Sequence, residues 1–251
     1  MSLAIVGHRG AMAHEPENSL ASFALAEAVG ADEIELDVRL SSDRELVLVH
    51  DETLDRIAAD GAGRGLGPVS ALTLAQLQSV TLDSGRGVVT LDEMYEATQV
   101  RIQLEIKDPA VTPHLAEYYA SRPQHARRTI VASFCADVTR AVADLIPGVG
   151  RQLITEAIAG VEHHDGGLWG VLEHARATRL ACGFGGVTPR LVEQLGAAGI
   201  EVHLWPVRTL DDIREAIGVG ADGVTSDDPA RAIAWREQVL AEGRQPLDSR
   251  R

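Results

Sequence analysis

The sequence predicts a parallel (β/α)8 barrel, and three observations predict it. Short β-rich runs alternate with amphipathic, helix-like stretches about eight times, the pattern of a parallel sheet that closes on itself. The 251 residues match the length at which such a barrel forms a single domain, here residues 1–251. Two of the β-rich runs, "EIELDVRL" and "RIQLEIK", alternate aliphatic and charged residues at a period of two, which separates a face for packing helices from a face for chemistry.

Taken in order, the first run is "LAIVG" (3–7), followed by the helical pattern "SLASFALAEAVG" (19–30). Ser19 stands at its N-cap position and Gly30 at its C-terminal stop. "EIELDV" (33–38) is the second strand, and "LVLVH" (46–50) reads as a further strand ending at His50. Residues 51–90 break the rhythm with glycine turns and one short helical pattern, "LTLAQLQ". They are expected to form a small, loop-rich insertion over the rim after the second strand region. The alternation resumes with the helix "LDEMYEAT" and the strands "RIQLEI", "TIVASF", "RQLIT", "LACGFG", "EVHLWPV" and "DGVTS". Between them, "ADVTRAVADLI", "TPRLVEQLGAAG" and "TLDDIREAIGVG" are helical, with Thr188 and Thr209 as N-caps and Gly199 and Gly220 as stops.

The formal net charge of −14 disfavours nucleic acid and anionic membrane surfaces as partners, because the summed field repels both. A divalent cation could still bring an anionic small molecule to such a protein. Cys135 and Cys182 show no metal or disulfide spacing and are expected as two buried thiols in a reducing cytoplasm. The start "MSLAIVGHRG" has no basic region before its short apolar run, and no apolar run spans a bilayer. The expectation is a cytoplasmic protein without stable membrane association, for which homo-oligomer formation is left open.

In a parallel barrel, catalytic groups come from the C-terminal ends of strands. Those ends carry His8 and Arg9, Glu35 and Asp37, His50 and Asp51, Glu105 and Lys107, and Trp205. Glu35, Asp37 and Glu105 are hard oxygen donors suited to Mg²⁺, Ca²⁺ or Mn²⁺. The alternative is a buried ion network of the same acids with Arg9, Arg39 and Lys107. Glu33, at the start of its strand, belongs to the opposite end and is expected to be solvated or ion-paired. His8 and His50 suit general acid/base work near neutral pH, and Arg9 and Lys107 suit a phosphate. His14, His163, His164 and His203 have weaker context and are read as structural. No GxxxxGK[ST] loop is present, so nucleotide binding of the P-loop type is not supported.

In order along the chain, "GHRGAMAHEPENSLASF", "GADEIELDV", "LVLVHDETLDR", "VVTLDEM", "LEIK", "ASF", "LWPV" and "GADGVTSDDP" resemble the glycerophosphodiester phosphodiesterases, of the bacterial cytoplasmic type. The resemblance implies a TIM barrel with a small insertion after the second strand region. It implies one divalent metal ion on Glu35, Asp37 and Glu105, and His8 and His50 as the acid/base pair. Arg9 and Lys107 would contact the phosphate, Glu17 and Asn18 would support the site, and Trp205 would meet the glycerol moiety. The implied reaction is hydrolysis of a small glycerophosphodiester to sn-glycerol 3-phosphate and an alcohol, through attack of the glycerol 2-hydroxyl and a cyclic phosphate. Two departures stand out: "LWPVRT" lacks polar groups usual after the tryptophan, and "TSDDP" leaves Asp227 as the aligned acid.

Two other readings compete. A lysophospholipase D-like or cyclising phosphodiesterase on the same barrel would call for a secretion signal, a disulfide or an apolar loop, and only "GLGPVSALTLAQL" in the insertion is mildly apolar. A non-catalytic phosphodiester-binding barrel would have no need of both histidines.

Overall fold

The computed structural model describes residues 3–161 and 165–243; His163 and His164 lie outside the described residues. Ten strands are present among the described residues: β1 (Ala4–Gly7), β2 (Glu33–Leu40), β3 (Leu46–Leu48), β4 (Val89–Thr90), β5 (Arg101–Ile106), β6 (Thr129–Ser133), β7 (Gly150–Thr155), β8 (Arg179–Cys182), β9 (Glu201–Val207) and β10 (Gly223–Ser226). Eight of them pair in parallel in the order β1-β2-β5-β6-β7-β8-β9-β10, and β10 returns to β1. The sheet therefore closes into the expected TIM barrel, with helices around it.

The period-two reading of β2 holds residue by residue. Ile34, Leu36 and Val38 are fully buried and pack with Phe23, Met94 and Leu115 of the surrounding helices. Glu33, Glu35 and Asp37 take the opposite face yet are only 3%, 6% and 1% exposed, so this face lines the barrel interior rather than water. The register sets Asp37 beside Glu105 and Glu33 beside Arg101.

Helix ends follow the sequence signals. Ser19 accepts from the Ser22 N–H, Thr188 from the Leu191 N–H, and Thr209 forms a reciprocal capping box with Asp212. Gly220, at φ 80°, closes the helix Leu210–Val219 in the left-handed conformation.

The insertion departs from expectation in its start. "LVLVH" does not contribute a barrel strand, because β3 runs antiparallel to β2 and in turn pairs with β4. The chain thus leaves the barrel directly after β2, about ten residues before residue 51. Val47, Val49, Leu54, Val69, Leu77 and Leu82 bury one another there, so Val69, Leu72 and Leu77 of "GLGPVSALTLAQL" serve a small core of their own, while Leu66 stays exposed. Glu33 is also more buried than expected: Arg179 donates to both its oxygens at 2.7 and 3.2 Å, and Arg101 lies 3.3 Å away. It is ion-paired and not solvated. Of the two cysteines, Cys182 is buried but Cys135 is exposed, because it sits in the loop between β6 and the helix Ala136–Leu145. No described helix is long and apolar enough to cross a membrane.

Candidate active site

The C-terminal mouth of the barrel holds a cavity of about 190 Å³. His8, Arg9, Glu35, His50, Glu105 and Lys107 line one wall, and Phe134, Ile154, Ala181, Trp205 and Pro206 line the other. Most of the residues singled out from the sequence therefore meet in one place.

β1 delivers His8 and Arg9 through a tight turn. Gly10 adopts φ 92°, and a Cβ there would collide with Ser22, so only glycine lets the helix Leu20–Ala28 pack this closely under the turn. Arg9 itself is left-handed, at φ 48°, and its strained backbone is held by its N–H donating to Glu35 Oε2 at 3.0 Å and by its carbonyl accepting from Ser22 Oγ at 2.8 Å.

The acidic cluster comes from β2 and β5. One oxygen from each of Glu35, Asp37 and Glu105 lies within 4.8 Å of the others. Lys107 Nζ donates to Glu105 Oε1 at 2.5 Å and lies 3.1 Å from Asp37 Oδ1, while Arg9 Nε lies 3.2 Å from Asp37 Oδ2. Asn18 locks Asp37 from both sides, donating from Nδ2 at 2.8 Å and accepting the Asp37 N–H at 3.2 Å. Arg39 takes no part in this network; its guanidinium donates instead to the His50 carbonyl at 3.0 and 2.8 Å.

These acids are out of electrostatic balance. Burial and then the charge of Asp37 push the Glu35 carboxyl up to about 8. Burial and Asp37 likewise raise Glu105. Burial opposes the ionisation of Asp37 too, but Lys107 and Arg9 outweigh it and hold that carboxyl below its ordinary range. Glu35 Oε1 is buried and accepts no hydrogen bond. Three carboxylates facing two fixed cations, with one buried oxygen unpartnered, suit a hard divalent cation.

Each histidine is held by a carboxylate. His8 Nδ1 lies 2.6 Å from Asp227 Oδ1, with Nε2 3.9 Å from Glu35 Oε2; His50 Nδ1 lies 2.6 Å from Asp51 Oδ1. Both pairings fix the ring and leave Nε2 for other work. His50 stands two residues beyond the antiparallel β3 rather than at a barrel strand's end, so the insertion supplies it. Burial lowers the His50 imidazole below its ordinary value despite Asp37 and Asp51. For His8, burial pulls down, but the Asp227 hydrogen bond and the Glu35 charge outweigh it and raise the ring.

Arg56 ties the insertion to the barrel. It donates to Asp51 at 2.6 Å and to both oxygens of Glu17 at 2.6 and 2.7 Å, while Glu17 also accepts from Arg9 at 3.0 Å. Trp205 lies across the cavity with its ring edge-on to Phe134, centroids 5.9 Å apart. His14 pairs with Asp228 at 3.2 Å, and His203 is buried inside the barrel; neither lines the cavity. Sequence reasoning named Asp51 at a strand end and Asp227 as the aligned acid without saying what either holds, and it missed Arg56. Adjacency to His50 was a usable signal for Asp51, whereas Asp227 and Arg56 are brought in only by barrel closure and the path of the insertion.

The model of the "Glycerophosphoryl diester phosphodiesterase family" matches residues 8–231. A glycerophosphodiester phosphodiesterase of Caldanaerobacter subterraneus subsp. tengcongensis is 29% identical over 93% of this chain and 97% of its own. The probable glycerophosphodiester phosphodiesterase 1 of Mycobacterium tuberculosis is 32% identical over 95% of this chain and 94% of its own. An Oleispira antarctica phosphodiesterase, solved in complex with the product sn-glycerol-3-phosphate, is 23% identical and has the same fold, with a TM-score of 0.80 over 93% of this chain and 96% of that one.

Proposed function

This chain belongs to the glycerophosphoryl diester phosphodiesterase family, and from that premise we propose that it hydrolyses small glycerophosphodiesters to sn-glycerol 3-phosphate and an alcohol by His/His general acid/base catalysis. The observation that carries the reading is the pair of carboxylate-held histidines, His8–Asp227 and His50–Asp51, on the wall that also holds the acidic cluster. A cavity that only bound a phosphodiester would gain nothing from two oriented imidazoles.

Glu35, Asp37 and Glu105 would hold one divalent ion, Mg²⁺ or Ca²⁺ with Mn²⁺ also suited, which when bound supplies positive charge to the phosphate. Arg9 and Lys107 receive phosphate oxygens, and Glu17 and Asn18 keep Arg9 and Asp37 in place. Neutral His50 takes the proton of the glycerol 2-hydroxyl as that oxygen attacks phosphorus. Protonated His8 gives its proton to the departing alcohol oxygen, and the P–O bond to the head group breaks. In the second half, His8 takes a proton from water as the water attacks the cyclic phosphate, the bond from phosphorus to the 2-oxygen breaks, and His50 returns its proton to that oxygen. The opposed shifts of the two rings, His8 upward and His50 downward, support this division of labour. We place the enzyme in the cytoplasm, acting on water-soluble diesters.

The test is release of glycerol 3-phosphate from glycerophosphocholine and glycerophosphoethanolamine, and of lysophosphatidic acid from lysophosphatidylcholine, each with EDTA, Mg²⁺ and Ca²⁺. Metal-dependent release from the first two is expected. No release from any of them would leave a binding barrel, and release from the lysolipid alone would favour the lysophospholipase D-like reading.

A further inference from the structure

We propose that Gln152 and Trp205 form a hydroxyl-reading subsite that takes the terminal hydroxymethyl group of the substrate's glycerol moiety; this rests on the glycerophosphodiester reading above. A chain of hydrogen bonds runs to this subsite from the far end of the barrel. Glu33, ionised against Arg179, can only accept hydrogen bonds. Gln103 therefore turns its amide nitrogen to Glu33, Nε2 to Oε2 at 2.6 Å, and its oxygen toward Gln152. Gln152 must answer with its own nitrogen, Nε2 to Gln103 Oε1 at 3.2 Å. The direction of every link is thus fixed by the carboxylate, and the chain ends on Gln152 Oε1.

That oxygen is buried and has no partner, although Gln152 is only 3% exposed. The Trp205 Nε1–H is likewise buried and unpartnered. Both residues line the same cavity, from β7 and β9 rather than from the β2 and β5 that carry the acidic cluster. One orphaned acceptor and one orphaned donor are satisfied together by a group that donates one hydrogen bond and accepts another. A hydroxyl does this; an ammonium has no lone pair for the indole, and a phosphate or carboxylate has no proton for the amide oxygen.

Position selects which hydroxyl. The acids and cations of β2 and β5 hold the phosphate end, so a group on β7 and β9 meets what lies across the barrel. Ala132 and Ala181 keep that side small but open, and Phe134 closes against Trp205. The head group varies in size and must leave toward solvent, whereas the glycerol end is constant and fits a space of this volume. A substrate lacking the terminal hydroxyl would leave both buried groups unpaired, which lowers kcat/KM by roughly tenfold to a hundredfold.

The experiment compares glycerophosphocholine with the phosphocholine diester of propane-1,2-diol, which keeps the attacking 2-hydroxyl and lacks only the terminal one. Wild-type enzyme is expected to prefer the glycerol diester by at least about tenfold in kcat/KM. Gln152→Leu and Trp205→Phe are each expected to reduce that preference to within about threefold, chiefly by losing activity on the glycerol diester. Trp205→Phe keeps the ring and decides the matter if Gln152→Leu does not fold. Equal wild-type turnover of both diesters, or an undiminished preference in the variants, overturns the subsite while the phosphodiesterase reading stands. Turnover of neither diester by wild-type enzyme overturns both.

Discussion

His8 Nδ1 and Asp227 Oδ1 are 2.6 Å apart although 219 positions separate them in the chain. The contact exists because β10 and β1 are neighbours where the barrel closes, and Asp227 directly follows β10. It makes the first turn of the chain and the last one parts of a single proton-handling unit.

Asp227→Asn is therefore expected to lower kcat by about 10² to 10⁴ without unfolding the protein, since the amide can hold His8 in the wrong tautomer. His8→Ala and His50→Ala are expected to lose activity to a similar degree and keep the wild-type circular dichroism spectrum. Glycerol 3-phosphate release from glycerophosphocholine measures the rate, and near-wild-type turnover in any of the three would remove that residue from the mechanism.

The pH dependence of kcat/KM is expected to be bell-shaped. His50 must be neutral to act as base, and burial lowers its pKa, so the acidic limb lies below about 6.5. His8 must be protonated to act as acid, and Asp227 with Glu35 raises it, so the alkaline limb lies above about 6.5. In Asp227→Asn the raising partner is gone, and the alkaline limb should move to lower pH. A limb that stays in place in this variant would assign the titration to another group.

Glu33 and Arg179 make a buried ion pair at 2.7 Å, 4% and 3% exposed at their side chains. Arg179→Met alone leaves the buried Glu33 with only the exposed Arg101 and the Gln103 amide and is expected to cost about 3–5 kcal/mol in urea unfolding. The double variant Glu33→Leu/Arg179→Met removes both charges and should recover most of that loss. If the double variant is no more stable than the single, the charges are not compensating each other.

His203 is buried and its imidazole is pushed down to about 3, first by burial and then by Arg179. A Cβ at Gly223 would collide with the His203 ring, so the ring fits only beside glycine. Between about pH 6.5 and pH 3 the unfolded chain holds a proton on this residue that the folded one does not. Its contribution to stability is thus complete above pH 6.5 and falls as pH drops, by about 1.4 kcal/mol per unit. His203→Gln should show a shallower loss between pH 6.5 and 4.5 in urea titrations, and parallel slopes would refute the assignment.

Much of this architecture was legible because its signals are local. The alternation in β2 and β5, the threonine caps and Gly220 each depend on residues a few positions apart. Glu35, Asp37 and Glu105 could be singled out because hard donors on a strand face carry chemical meaning by themselves. The direction of β3 was not legible: three aliphatic residues look alike in a parallel and an antiparallel strand, and only the partner decides. Arg56 and Gln152 escaped for a related reason, as did the pairing of the aligned acid Asp227 with His8. Each is an ordinary polar residue in sequence and gains its part from partners 39, 49 and 219 positions away.

Arg56 joins Asp51 to Glu17, so His50 is steadied by a segment with its own small apolar cluster while His8 is steadied by the barrel. The two halves of the acid/base pair thus melt with different bodies. Local opening of residues 49–88, whose apolar side chains pack on one another while Leu46, Leu48 and Val89 stay in the barrel core, is expected to cost less than opening the barrel, and it would take His50 with it. Heat should therefore silence the enzyme at a temperature where the barrel's helices and strands are still intact.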